Sequence, residues 1–270
     1  MIGTVLDGGY RLTEALYEGM WLVYRGTARD GNRVLVTIAP PVPDVMTELA
    51  LPFKGVPALR ATVPVKLRSG PQWLAVIESE PAGRCVADLS GPVPLDEVFT
   101  VGLDLARLLR TIHAAGAFHG SLRPQMTWVD PTYGQGRPGG RLSLSGSSPR
   151  SERFGLAASR SRSSGQVSPF IDDLFLPDVL ARGEPAGVAS DIAQLGMMLH
   201  RLATGRSPFR RGDSPMPELV RAMNGETERW GLDDPRARAA EEVAREAFDP
   251  GRRESRSLSP ILRFLEEQAR

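Results

Sequence analysis

Strand-like runs dominate the start of the chain: Tyr10–Leu16, Leu22–Thr27 and Arg33–Ile38 are separated by Glu18-Gly19 and by Asp30-Gly31-Asn32. Those separators are turn chemistry, because glycine and asparagine tolerate the left-handed backbone that a tight reversal needs. The pattern predicts an antiparallel meander. A short helix is expected at Asp44–Leu51, between prolines, and two further strands at Ala61–Leu67 and Trp73–Glu78. From Pro94 the period changes. Leu95, Val98, Leu105, Leu108, Leu109 and Ile112 recur at helical spacing, with Asp96 and Glu97 placed favourably beside the positive end of a helix. A second apolar stripe, Ile192, Leu195, Leu199 and Leu202, resumes near Ser190 and is ended by Thr204-Gly205. Helices are also predicted at Met216–Asn224, Arg236–Phe248 and Leu258–Gln268. The first ~80 residues are therefore strand-rich and the remainder mostly helical.

One interval breaks both periods. From Arg137 to Gly165 there are six arginines and a single acid, Glu152, and from Ser143 to Ser168 there are ten serines. It reads as a long, mobile, basic loop. Elsewhere composition is unremarkable for a soluble globular protein: 270 residues, 41% apolar, with Lys+Arg 33 against Asp+Glu 32. That balance gives no global field to attract nucleic acid or a membrane surface, so a partner must be recognised locally. The single cysteine, Cys85, has no partner for an internal disulfide, which fits a reducing compartment, and it reads as a small buried apolar residue. The amino terminus has neither a basic segment nor an apolar run, which argues against a signal peptide, and no run of about 18 apolar residues suggests a membrane span. A cytoplasmic location is the expectation.

Several stretches carry a resemblance. TVLDGGYRLTEAL with LVYRGTARDGNRVLVTI is similar to the first three strands of a bacterial serine/threonine protein kinase. HAAGAFHGSLRP resembles the catalytic loop and its approach, ASDIAQLGMMLHRLATGRSPF the long central helix, and FDPGRRES the segment before the last helix. They lie in the family's order over nearly the whole chain. The resemblance implies an α+β, bilobal protein kinase-like fold. Residues 1–80 would form an N-terminal five-stranded antiparallel sheet with one short helix, and 81–270 a mainly helical C-terminal lobe.

Phosphoryl transfer requires positioned phosphates, metal ligands and a group oriented at the attacking hydroxyl, because electrostatic positioning supplies most of the catalysis. The resemblance implies where each part should lie, and each is altered. The glycine-rich loop is LYEGMWLVY, one residue short, with Gly19 its only glycine and Tyr17 and Trp21 where small residues would let backbone N–H groups reach phosphate. Gly19 reads more simply as a hairpin glycine. Aligning RVLVTI with the third strand puts Thr37 at the phosphate-binding lysine and Leu35 at the small residue roofing the adenine, alongside Val23. A hydroxyl does not replace an ammonium, and Leu35 adds volume where a base would lie. Glu48, the candidate partner of that lysine, is left without a cation to orient.

In the catalytic loop the pattern H-x-D-L-K-P-x-x-N is matched by His119 through Thr127. Ser121 stands at the catalytic aspartate, Arg123 at the phosphate-contacting lysine and Thr127 at the metal-binding asparagine. Ser121 carries no negative charge near neutral pH, and Thr127 lacks a carboxamide oxygen for magnesium. His119 is expected to be a core histidine beneath the loop. The magnesium-binding triplet aligns with Leu144, Ser145 and Gly146, and leucine does not coordinate a hard cation. The scaffold positions persist: Asp191 at the head of the central helix, and Asp178, which is expected to pair with Arg253.

These substitutions imply a catalytically inactive kinase-like protein, a pseudokinase without nucleotide, metal or other cofactor. It would act as a protein-binding scaffold or allosteric regulator in bacterial serine/threonine kinase signalling. Its expected partner is a protein, an active serine/threonine kinase or its substrate, and not nucleic acid. The alternative is an unconventional phosphotransferase or nucleotidyl transferase that has rebuilt its site from Arg123, Arg141, Asp130 or Glu152. SRSRSS, 159–164, places arginines close before Ser161, Ser163 and Ser164, a charge context suited to phosphorylation by a basophilic kinase. Added phosphate there would pair with Arg160 and Arg162.

Overall fold

The computed structural model describes residues 1–18, 22–39, 59–66, 72–80, 83–86, 91–114, 187–209, 215–251 and 256–268. It also describes 89, 116, 118–119, 122, 124, 127–129 and 142–144. The first part is an antiparallel sheet of β1 (Val5–Leu6), β2 (Tyr10–Glu18), β3 (Leu22–Thr27), β4 (Arg33–Ala39), β5 (Leu59–Lys66) and β6 (Gln72–Ser79). Its strand order is β1-β2-β3-β4-β6-β5. The sheet is thus six-stranded and not five-stranded. The added member, β1, pairs Val5 with Arg11 and Leu6 with Tyr10, and two residues are too few to show a period of two. The helix expected at Asp44–Leu51 lies outside the described residues.

The β3–β4 hairpin turns where its chemistry predicts. Gly31 has φ +80°, and the Asp30 carboxylate accepts from both the backbone N–H (3.0 Å) and the side-chain amide (2.8 Å) of Asn32. The register pairs Val23 with Thr37 and Arg25 with Leu35, then Leu35 with Glu78 and Thr37 with Val76 across β4 and β6. Paired residues share a face. One face therefore carries Leu12, Tyr24, Val34, Val36, Ile38, Ala75 and Ile77, which form the sheet's apolar cluster. The other carries Val23, Leu35, Thr37, Val76 and Glu78, all buried as well. Burial on both faces explains why RVLVTI reads as a nearly unbroken apolar run rather than an alternation.

A second, three-stranded antiparallel sheet, absent from the sequence expectation, joins β7 (Arg84–Cys85), β8 (Thr127–Val129) and β9 (Leu142–Leu144) in the order β7-β8-β9. The described helices are α1 (Leu95–Ala114), α2 (Val188–Thr204), α3 (Pro215–Asn224), α4 (Pro235–Phe248) and α5 (Leu258–Gln268). The bounds fall within a few residues of those the periodicity predicts. Helix α2 is the hub of the main core. Ile192, Leu195, Met198, Leu199 and Leu202 are buried among Phe99, Leu105 and Leu109 of α1, Ala240 and Ala244 of α4, and Ile261 and Leu265 of α5. It starts two residues before the expected Ser190, whose hydroxyl accepts from the Gly187 N–H at 2.9 Å. It stops at Gly205, in the left-handed conformation at φ 69°.

His200, on α2, is buried and meets Trp230 edge-on with ring centroids 6.3 Å apart. Burial, with a smaller contribution from Arg206, lowers its pKa from 6.5 to about 4. The folded state thus keeps the imidazole neutral where the unfolded chain protonates it, so stability is full above pH 6.5 and falls as pH drops toward 4. The loss amounts to roughly 3 kcal/mol. Urea unfolding across this range should show a shallower acid dependence for His200→Gln than for the natural chain. An unchanged dependence would assign the loss to other groups.

Candidate functional site

The segment matched to a catalytic loop is held by the first turns of α2. The buried Asp191 carboxylate accepts the backbone N–H of His119 at 2.7 Å and Nε2–H of His113, from the last turn of α1, at 2.9 Å. Three residues on, the Gln194 side-chain oxygen accepts the backbone N–H of Leu122 at 3.0 Å. Positions i and i+3 share a helix face, so one face of α2 supports two backbone donors that also lie three residues apart. Asp191 thus anchors the backbone at His119, which is itself completely buried. Gln194 was not singled out from the sequence, because a lone glutamine within an apolar stripe gives no motif signal.

The face of the first sheet opposite its apolar cluster presents Val23, Leu35 and Thr37. Thr37 is 7% exposed, and its hydroxyl finds no hydrogen-bond partner among the described residues. Val23 and Leu35 form a small apolar cluster with Cys85 of β7 and Trp128 of β8, and Leu16 of β2 packs against it. Trp128 is only 1% exposed and is among the largest fully buried side chains described. The Cys85 thiol donates to the Pro124 carbonyl at 3.2 Å. An indole therefore lies against the two residues that the kinase resemblance would put at the roof of a base-binding slot. Trp128 was missed because its significance depends on what it faces, a hundred residues away in sequence.

Arg25, two residues from Val23 along β3, places its guanidinium carbon 5.3 Å from the centroid of the Trp128 ring. It donates from Nη1 to Glu14 at 2.7 Å and from Nε to Glu80 at 2.8 Å, and Glu80 also ion-pairs with Arg33 at 2.6 Å. Burial opposes the charge on Arg25, but these carboxylates outweigh it and raise its pKa above the ordinary guanidinium value.

Thr127 lies in β8, completely buried, and is the register partner of Leu144. One assignment changes: the catalytic-loop spacing H-R-D-L-x-x-x-N puts the asparagine five residues after the aspartate, which is Met126 and not Thr127. A thioether is a soft donor and no better suited to magnesium. No group of three or more metal-ligating side chains occurs among the described residues. Tyr17 lies in β2, in register with Val23. Gly19, Trp21, Glu48, Ser121, Arg123, Asp178, Arg253, Ser161, Ser163 and Ser164 lie outside the described residues. Among those described, no helix is long and apolar enough to cross a membrane.

No protein-family model matches the chain. It is 26% identical over 241 residues, 82% of its length, to a probable serine/threonine-protein kinase of Clostridium perfringens. It is 27% identical over 235 residues, 80% of its length, to the serine/threonine-protein kinase AfsK of Streptomyces coelicolor. A match of 28% over 140 residues, 49% of the chain, links it to a probable serine/threonine-protein kinase of Corynebacterium efficiens. These matches cover 32%, 27% and 19% of the respective relatives, so the chain spans less than a third of each. The chain is thus similar, at low identity, to bacterial serine/threonine protein kinases.

Proposed function

We propose that this chain is a pseudokinase: a bilobal, kinase-shaped protein that transfers no phosphate and works by binding another protein. The observation that carries the reading is the burial of Trp128 against Val23 and Leu35, in the slot where a nucleotide base would have to enter. Thr37, Ser121 and Leu144 stand at the phosphate-anchoring, catalytic and metal-binding positions. A hydroxyl, a second hydroxyl and an isobutyl group supply neither the cation nor the carboxylates that phosphoryl transfer needs. Residues of such a site act as a unit, so one loss alone would largely disable it. The partner is a protein, an active serine/threonine kinase or a substrate of one, and the action is that of a scaffold or allosteric regulator. Phosphorylation of Ser161, Ser163 or Ser164 would regulate it by placing dianions beside Arg160 and Arg162.

Titration of the chain with ATP to millimolar concentration, with and without magnesium or manganese, should leave its melting temperature unchanged. Labelled ATP should yield no phosphate transfer to the chain or to a generic substrate. A saturable rise of several degrees would show an open nucleotide site. Transfer abolished by Arg123→Ala would replace this reading with that of an unconventional phosphotransferase.

A further inference from the structure

Two independent features converge on the slot between the sheets. The first is packing: Trp128 projects from β8 into contact with β3 and β4, and its ring is almost wholly removed from water. A tryptophan buried to this degree contributes a large apolar area to whatever it joins. Here it joins elements of two different sheets. The second is charge. The guanidinium at 5.3 Å from the ring centroid is within cation–π range. It does not rest there by its own flexibility, because Glu14 on β2 and Glu80, just after β6, fix its orientation from either side. The Glu80 carboxylate is itself held by Arg33 of β4. Three strands of the first sheet and the residue that follows β6 thus combine to direct one cation at a single side chain of the second.

We propose that Trp128 is a tethered occupant of this slot, clamped by Arg25, which fastens the first sheet to the helical core without any added ligand. This conformational device rests on the reading of the slot as one that takes no nucleotide. A bound base would bridge two halves of a protein only while ligand is present. An indole on β8 makes the same kind of bridge permanent, and leaves its strength set by Arg25, Glu14 and Glu80. Their ion pairs involve partly exposed groups, so the clamp should weaken with salt.

The test is cavity creation with chemical rescue. Trp128→Ala should melt about 10 °C lower than the natural chain, and amides of β3, β4 and β6 should exchange with solvent at least about tenfold faster. Free indole at millimolar concentration should raise the melting temperature of Trp128→Ala and slow exchange in those strands, while leaving the natural chain unaffected. Trp128→Phe, which keeps a ring, should fall between the two. If Trp128→Ala does not fold, Arg25→Gln decides. It retains the tryptophan and should accelerate exchange in the same strands by a smaller factor, leaving α1, α2 and α4 protected. Unchanged exchange in Arg25→Gln, or indole acting equally on the natural chain and on Trp128→Ala, would overturn the clamp. The two readings fail separately. Binding of ATP by the natural chain sinks the nucleotide-free slot, whereas a natural chain inert to ATP with a Trp128→Ala variant inert to indole sinks only the clamp.

Discussion

Replacing Asp191 with alanine should destabilise the protein by about 3–5 kcal/mol, the largest effect expected of a polar substitution in this chain. The carboxylate is 0% exposed and accepts two short bonds, from the His119 backbone N–H and the His113 ring. Hydrogen bonds to an ionised acceptor are stronger than neutral ones, and truncation leaves a buried amide and an imidazole unsatisfied. Water does not readily replace the carboxylate, since His119 is itself fully buried. Asp191→Asn should recover part of the loss, because an amide oxygen in the place of Oδ2 still accepts both bonds, though without the carboxylate's charge. Urea unfolding would read the result as a shift of midpoint at constant slope. A loss under about 1 kcal/mol would mean that the loop is held by Gln194 and its packing alone.

Gly196→Val should be comparably damaging, for a steric reason. Gly196 sits on α2 where α4 crosses it, and a Cβ placed there would come within 2.6 Å of the Ala244 carbonyl oxygen and 3.0 Å of the Ala247 Cβ. The obstruction is backbone, so relief requires separating two helices at the centre of the main core. Overpacking of this kind costs about 1–3 kcal/mol and exceeds that where the neighbour is rigid. Even Gly196→Ala should destabilise, although alanine is favoured over glycine in a helix by about 1 kcal/mol. Gly102→Ala provides the contrast. Its new methyl would meet the tip of the Leu199 side chain, 2.4 Å away, which can shift more readily than a backbone carbonyl, so the cost should be smaller. Equal losses at the two sites, measured by denaturant unfolding, would contradict the assignment to backbone contact.

Both predictions depend on α2, and α2 shows why some of this molecule was legible in the sequence. Its apolar stripe repeats over seventeen residues, and Gly205 ends it because only glycine takes the left-handed conformation without cost. Helices α3, α4 and α5 and strands β2 to β6 were readable on the same grounds, each being long enough to complete several periods. Strands β1, β7, β8 and β9 have two or three residues and complete none. Their existence follows from partners elsewhere in the chain. The site divides along the same line. Leu35 and Thr37 were identified by their place in a strand motif and Asp191 by its place at the head of a helix, since both are local patterns. Gln194, Arg25, Glu80 and Trp128 belong to no local pattern.

The sequence by itself determined which residue types stand at each aligned position, and folding does not add an ammonium to Thr37 or a carboxylate to Leu144. It also determined the order of strands and helices, through periodicities of two and 3.6. What fills the space left behind was decided only by the tertiary structure. Trp128 meets Val23 and Leu35, and Arg25 meets Trp128, across about a hundred residues of chain. Such contacts arise from sheet register and from the packing of one sheet upon another. Close-packed interiors leave few voids, so the space between the two sheets is filled by a side chain. Sequence spacing does not reveal which one.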